Sequence, residues 1–295
     1  MTAQPTSRRF ISQRLKLHYA DWGNEAAPPL VLLHGGRDHC RSLDAVARAL
    51  CERHHVIAPD LRGHGDSDWS PDGDYSMQSL VYDLAQLIHQ LGRTPVTLVA
   101  HSLGGNIAIR YAGLYPANVA KLVAIEGLGL SPSMLAEREK VPMAERFRKW
   151  IEDKRAAAAR TPRRYPSLEA ALERMKEENK FLTDAMARHL TEHGATMNED
   201  GTWSWKFDNY VNVWPPFDLP QAEIHALWRA IECPTLLVYG EESWASNPEK
   251  DGRASHFKNA RVVCFAKAGH WVHHDQFDAF QASLTAFLTE AAESL

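Results

Sequence analysis

The chain lacks most of the features that would place it in a specialised class. Its four cysteines, Cys40, Cys51, Cys233 and Cys264, follow neither a metal-ligand spacing nor a disulfide framework, which predicts four reduced thiols. Fifteen histidines form no H-E-x-x-H or comparable set, so no metal is expected. No apolar run approaches the roughly 20 residues of a membrane helix. Met1 to Gln13 is polar, without the apolar stretch of a signal peptide, and a cytoplasmic location is the expectation. Charge of neither sign dominates. A net charge of −4 and a pI near 6.4 argue against nucleic acid or an anionic membrane as partner, which leaves a small molecule. Internal repeats and low-complexity tracts are absent as well.

What the chain does carry is a stretch running from Val96 to Asn106. Val96-Thr97-Leu98-Val99-Ala100 reads as a buried strand, and Ile107 to Ala112 reads as a helix. Between them stands His101-Ser102-Leu103-Gly104-Gly105. A serine on a sharp strand-to-helix turn is lifted clear of the backbone towards a base, and only small neighbours fit that turn. The pattern is G-x-S-x-G with Ala100 in place of the first glycine. A serine that merely caps the helix would give the same local signal, so the rest of the chain has to decide.

Arg8 to Trp22 alternates like a two-stranded edge hairpin, and Pro28 to Leu33 is a buried strand that runs into His34-Gly35-Gly36. Glycines at that place let backbone N–H groups face a site. A helix over Leu43 to Arg53 follows, then the strand Val56 to Pro59 and a loop in which Asp60 and Arg62 are placed to pair. Tyr75 to Leu91 reads as a helix with Ser76 as N-cap and Gly92 as its stop. After the serine turn come the strand Lys121 to Ile125 and Glu126 at its end. Alternation of strands and helices with short connections predicts an α/β fold, a doubly wound, mostly parallel sheet with its ligand site beyond the carboxyl ends of the strands.

From about residue 130 the sheet-type runs stop. Segments 134–159, 167–180 and 183–193 read as charged amphipathic helices, followed by an irregular aromatic stretch from Trp203 to Phe217. Residues 131–230 therefore read as a helical cap inserted between two parts of a sheet domain, 1–130 and 231–295. Trp203, Trp205 and Trp214, with Trp271, are candidates to line a pocket under it; the bland alternative is that the cap tryptophans only pin the cap to the core. The sheet pattern resumes with strands Pro234 to Tyr239 and Arg261 to Phe265, and Phe277 to Ala291 reads as the closing helix.

A nucleophilic serine needs a base within hydrogen-bond reach and a carboxylate that orients the base. His270 follows the final strand after Gly269, at the same end of the sheet as Ser102. Glu126 and Glu242 both end strands there, and either could serve as the acid. Backbone N–H groups of Gly36 and Leu103 are the expected oxyanion donors. His273 and His274 read as structural.

With these residues in place the chain resembles the α/β-hydrolase superfamily over nearly its whole length. The likeness rests on His34-Gly35-Gly36, on Asp60-x-Arg62-Gly63-x-Gly65-x-Ser67, on Ala100 to Gly105 and on Gly269-His270. The cap and the region from Trp203 to Phe207 resemble its serine-hydrolase-like branch. That family commonly places its acid three residues after the glycine ending the penultimate strand; here Ser243 stands there. Some members carry the acid after the preceding strand instead, which Glu126, 24 residues beyond Ser102, matches. The resemblance thus favours Glu126, with Glu242 as the alternative. It implies hydrolysis of an ester, lactone or thioester of an apolar or aromatic small molecule through an acyl-enzyme, with no cofactor. Carbon–carbon bond hydrolysis of a diketone-like substrate would use the same residues, and a ligand receptor without catalysis is the reading from another class. A dehalogenase is disfavoured, because it would need a carboxylate where Ser102 stands.

Overall fold

The computed structural model describes residues 3–290; Met1, Thr2 and Ala291, the expected end of the closing helix, lie outside the described residues. The chain opens with the hairpin β1 (Thr6–Ser12) and β2 (Leu15–Asp21), then β3 (Pro29–Leu33), α1 (Asp44–Leu50), β4 (His55–Pro59) and α2 (Met77–Leu91). The serine stretch gives β5 (Val96–His101) and α3 (Leu103–Leu114), followed by β6 (Val119–Ile125). Four helices come next, α4 (Pro132–Glu139), α5 (Met143–Ala159), α6 (Leu168–Glu178) and α7 (Asp184–Gly194). A short ribbon of β7 (Ala195–Met197) and β8 (Trp203–Trp205) and helix α8 (Gln221–Ala230) complete the insertion. The sheet resumes with β9 (Thr235–Gly240) and β10 (Ala260–Phe265), and α9 (Val272–Asp275) and α10 (Phe277–Thr289) close the chain.

Eight strands form one sheet in the order β1-β2-β4-β3-β5-β6-β9-β10. Only the β1–β2 and β2–β4 pairs are antiparallel; from β4 to β10 every neighbouring pair is parallel. Successive strand side chains face opposite ways, and the two faces fill separate cores. Val31, Leu33, Leu98 and Ala100 pack with Leu80 and Leu84 of α2 and Ile107 of α3. Leu30, Leu32, Val99 and Val123 pack with Val46 and Leu50 of α1 and Phe280 and Leu284 of α10. Both faces are covered, which is why the strands read as continuous apolar runs rather than alternating ones.

Helix α2 begins and ends where its sequence signals lie. Ser76 accepts a hydrogen bond from the Ser79 N–H, and Gly92 takes a left-handed φ of 65°. Three details depart from expectation. The helix expected over 134–159 is two helices, because Pro142 cannot donate the backbone bond that would join them. Trp203–Trp205 is not irregular; it pairs as a strand with β7. The third concerns Arg62, which does not pair with Asp60. Its guanidinium reaches across to Asp83 on α2, with Nε 2.6 Å from Oδ2 and Nη2 2.7 Å from Oδ1. Asp60 instead accepts from His18 Nδ1 at 2.7 Å and from the N–H groups of Cys40 and Asp66.

The Arg62–Asp83 pair is almost fully buried, and Ser12 adds an O–H to the same carboxylate at 2.6 Å. Removing one partner leaves an uncompensated charge in the core. Arg62→Met should therefore lower unfolding free energy by about 3–5 kcal/mol in urea titration, and Arg62→Met/Asp83→Leu should recover most of that loss. Equal destabilisation of single and double variants would show that shape, not charge, sets the cost.

Candidate active site

Ser102 sits between β5 and α3 with φ 51° and ψ −115°, a conformation that non-glycine residues seldom adopt. Two glycines make the strained turn possible. A Cβ on Gly104 would lie 2.5 Å from the His34 carbonyl oxygen, and one on Gly105 would lie 2.6 Å from the Gly127 Cα. Ala100, where the common pattern has glycine, is buried and tolerated. Ser102 N–H is tied to the Ile125 carbonyl at 2.8 Å, so the turn is anchored on the neighbouring strand.

His270 lies between Ser102 and Glu126. Its Nε2 is 2.9 Å from Ser102 Oγ and its Nδ1 is 2.5 Å from Glu126 Oε2. An ionised carboxylate only accepts, so the Nδ1 proton points at Glu126 and Nε2 is left to accept from the serine hydroxyl. Glu126 is itself fixed. Gly240 N–H donates to Oε1 at 2.9 Å, and Ser243 O–H donates to Oε2 at 2.6 Å. The carboxylate is buried and its backbone is left-handed, with φ 51°. Glu242 lines the same cavity and makes no side-chain bond to His270; its backbone N–H is spent on the Ala268 carbonyl. Of the two sequence candidates, then, Glu126 meets the imidazole and Glu242 does not.

Two other histidines hold backbone near these groups. Leu61 N–H donates to His34 Nε2 at 3.0 Å, so His34 Nδ1 carries the ring proton and donates to the Gly35 carbonyl at 2.7 Å. That bond fixes the loop bearing Gly36, which lines the cavity beside Ser102 and Leu103. Leu103 is the first residue of α3, where a helix leaves its N–H without an internal acceptor. His101 Nε2 donates to the His270 carbonyl at 2.9 Å. The Leu61–His34 and His101–His270 contacts join segments far apart in the chain, which spacing along the sequence does not reveal.

The site opens into a cavity of about 960 Å³, large enough for a drug-sized molecule. Trp214 and Trp271 line it, together with Phe181 and Leu182. Trp203 and Trp205 do not. Their strand pairs with β7, Trp203 bridges to Tyr165 and Trp205 Nε1 donates to the Tyr165 hydroxyl at 3.1 Å. Neither indole lines the cavity, so those two pocket assignments are corrected. Trp244 was missed. It follows β9, lines the cavity and stands 5.0 Å, ring to ring, from His270.

Among the described residues, metal-type donors gather in two other places. In His18–Cys40–Asp60 and Asp44–His189–His193 the donor atoms lie within 4.8 Å of one another. Asp60 is already occupied by the three donors named above, and Asp44 is held by the guanidinium groups of Arg41 and Arg48. Those bonds use the carboxylate lone pairs a cation would need, so neither cluster is assigned as a metal site.

Burial keeps the histidines around the site neutral. It lowers His34 and His39 to about 4 and His64 and His274 to about 3, and it holds His101 and His273 well below the usual 6.5. Above pH 6.5 neither folded nor unfolded chain protonates them. Below it only the unfolded chain does, so each ring's contribution to stability is lost as the pH falls from 6.5 towards its folded value. Buried Asp38, raised to about 7, works the other way and gains stability as the pH falls, but it is one carboxyl against six rings, so the urea midpoint should fall between pH 6.5 and 4.5. An unchanged midpoint at pH 5.5 would contradict the burial of these rings.

Known proteins resemble this chain throughout its length. Residues 28–277 match the family model described as alpha/beta hydrolase fold. An esterase of Mycobacterium tuberculosis is 30% identical over 273 residues, spanning 86% of this chain and 80% of the relative. An sn-1-specific diacylglycerol lipase of Mus musculus is 28% identical, spanning 90% and 82%. Among solved structures, a thioesterase domain from the curacin biosynthetic pathway superposes with a TM-score of 0.82 at 22% identity, covering 97% of this chain and 99% of that one. At that identity the last likeness is one of fold.

Proposed function

The chain belongs to the α/β-hydrolase fold family, and from that premise we propose that it is a serine hydrolase of carboxylic esters, lactones or thioesters of apolar or aromatic small molecules. The observation that carries this reading is the continuous hydrogen-bonded series Ser102–His270–Glu126 facing a large, partly aromatic cavity. His270 Nε2 takes the proton from Ser102 as Oγ attacks the carbonyl carbon. Negative charge develops on the carbonyl oxygen, and the N–H groups of Gly36 and Leu103 receive it. Glu126 stabilises the imidazolium formed in that step. His270 then gives its proton to the leaving alcohol or thiol, and the acyl group remains on Ser102. A water molecule deprotonated by His270 releases the acid and restores the serine. Residues 131–230 serve as the cap over the cavity, with Trp214 and Phe181 contributing its apolar walls. The esterase and lipase relatives support an ester as the bond cleaved.

A chain-length series of p-nitrophenyl esters tests this. Ser102→Ala should lose about 10³-fold or more of kcat/KM, and Glu126→Gln roughly 10²- to 10⁴-fold. Glu242→Gln should fall far less; if it is the damaged variant, the acid has been misplaced. Wild type no faster than Ser102→Ala on every ester would remove ester hydrolysis and leave carbon–carbon cleavage to be tested. Ser243→Ala deletes one bond to Glu126 and should cost about three- to tenfold in kcat with KM little changed.

A further inference from the structure

Asn106 lies one turn along α3 from Ser102, its N–H bonded to the Ser102 carbonyl at 3.0 Å, and it lines the cavity. Its side-chain amide has only one possible orientation. Arg110 Nε donates to Asn106 Oδ1 at 2.8 Å. A guanidinium carries donors and no acceptor, so the oxygen must face it and Nδ2 must face the other way. Arg110 cannot move to meet a substrate. It is 5% exposed, and its two terminal nitrogens bond the two carboxylate oxygens of Asp218, on the segment before α8. The row Asp218–Arg110–Asn106 therefore holds an amide in one orientation and uses none of its N–H groups.

Asn106 Nδ2 has no protein acceptor among the described residues. Facing it is Gly129, whose φ is 73° and where a Cβ would come within 2.8 Å of Nδ2. Gly129 lines the cavity as well, so the wall beside the amide is bare backbone. The result is an oriented donor in the cavity, near a serine whose side chain should lie roughly 5–6 Å away at one-turn spacing. A hydrocarbon chain passing here would strip water from the amide N–H and give it no partner in exchange, which is unfavourable.

We propose that Asn106 Nδ2 selects substrates bearing an acceptor oxygen, a carbonyl, ether or hydroxyl, a few bonds from the scissile carbonyl. This rests on the serine-hydrolase reading and narrows its substrate class from simple apolar esters to oxygenated ones. Asn106 is a specificity determinant, and Arg110 and Asp218 are positioning residues that act through it.

The test compares ethyl 3-oxohexanoate and ethyl 4-oxohexanoate with ethyl hexanoate, and 2-methoxyethyl hexanoate with butyl hexanoate, by acid release in a pH-stat. The first comparison places the acceptor in the acyl part, the second in the alcohol part. Ratios of kcat/KM within each enzyme cancel differences in folded fraction, and each substrate's rate is first divided by its rate with hydroxide. Wild type should favour the oxygenated partner by about tenfold in one of the two parts. Asn106→Asp can still accept from Arg110 but offers no N–H to the cavity, and should reduce that ratio to about one or below. Arg110→Met frees the amide to rotate and should reduce it in part. A wild-type ratio near one in both comparisons, or a ratio that Asn106→Asp preserves, overturns the inference and leaves Asn106 as a support for Arg110. Failure of the underlying reading looks different: no ester of either kind would be turned over faster by wild type than by Ser102→Ala.

Discussion

The arrangement depends on one buried carboxylate. Glu126 lies at the seam where β6 and β9 run parallel, and among the described residues no lysine or arginine side chain pairs with it. Its oxygens are satisfied by the Gly240 N–H, the Ser243 hydroxyl and the His270 ring. Each donor comes from a different part of the chain: the end of β9, the turn beyond it, and the loop after β10. A carboxylate that loses such partners in a dry site is strongly destabilised. The three segments are thereby held to one another, and the imidazole is presented to Ser102 in a single tautomer.

The strain at Ser102 is borne by the same seam. Its left-handed backbone is stabilised by the bond to the Ile125 carbonyl and by the close approach of Gly105 to Gly127, just after Glu126. Nucleophile turn and carboxylate thus share strand β6 as their support. Behind them a layer of uncharged histidines fixes backbone rather than doing chemistry. His34 holds the Gly35 carbonyl and His101 holds the His270 carbonyl. At His34 the cost of burial outweighs the attraction of Asp60, 3.9 Å away, and at His101 neighbouring histidines add to that cost, so the neutrality of these residues is part of the geometry.

The insertion between β6 and β9 supplies the cavity that the sheet alone could not enclose. It is tied to the core by the apolar packing of Trp228 and Ile224 of α8 beside α3 and by polar contacts elsewhere. Tyr75 donates to Asp208 at 2.5 Å, Arg110 grips Asp218, and α4 and α5 bury no residue fully. Local stability follows buried contacts, so the first arm of the insertion is held less firmly than α3 or β5. The proposed substrate selection at Asn106 uses one of these ties, since Asp218 orients the amide through Arg110.

The layers, the strand ends and the serine turn are legible in the order of residues alone. Those rest on local physics: apolar runs that demand burial on both faces, Ser76 and Gly92 as helix boundaries, and small residues at 100, 104 and 105 around Ser102. The same order also brings His270 to the right end of the sheet, because a parallel topology puts all βα loops on one side. Tertiary structure decided what depends on distance between remote segments. The choice between Glu126 and Glu242 turns on which carboxylate points at the imidazole, and the partner of Arg62 turns on how α2 packs against the hairpin. Trp203 and Trp205 pack beside Tyr165 rather than in the cavity, and Trp244 enters it from a loop with no periodic signal. Composition and spacing record what a side chain can do. Only the fold fixes which groups it meets.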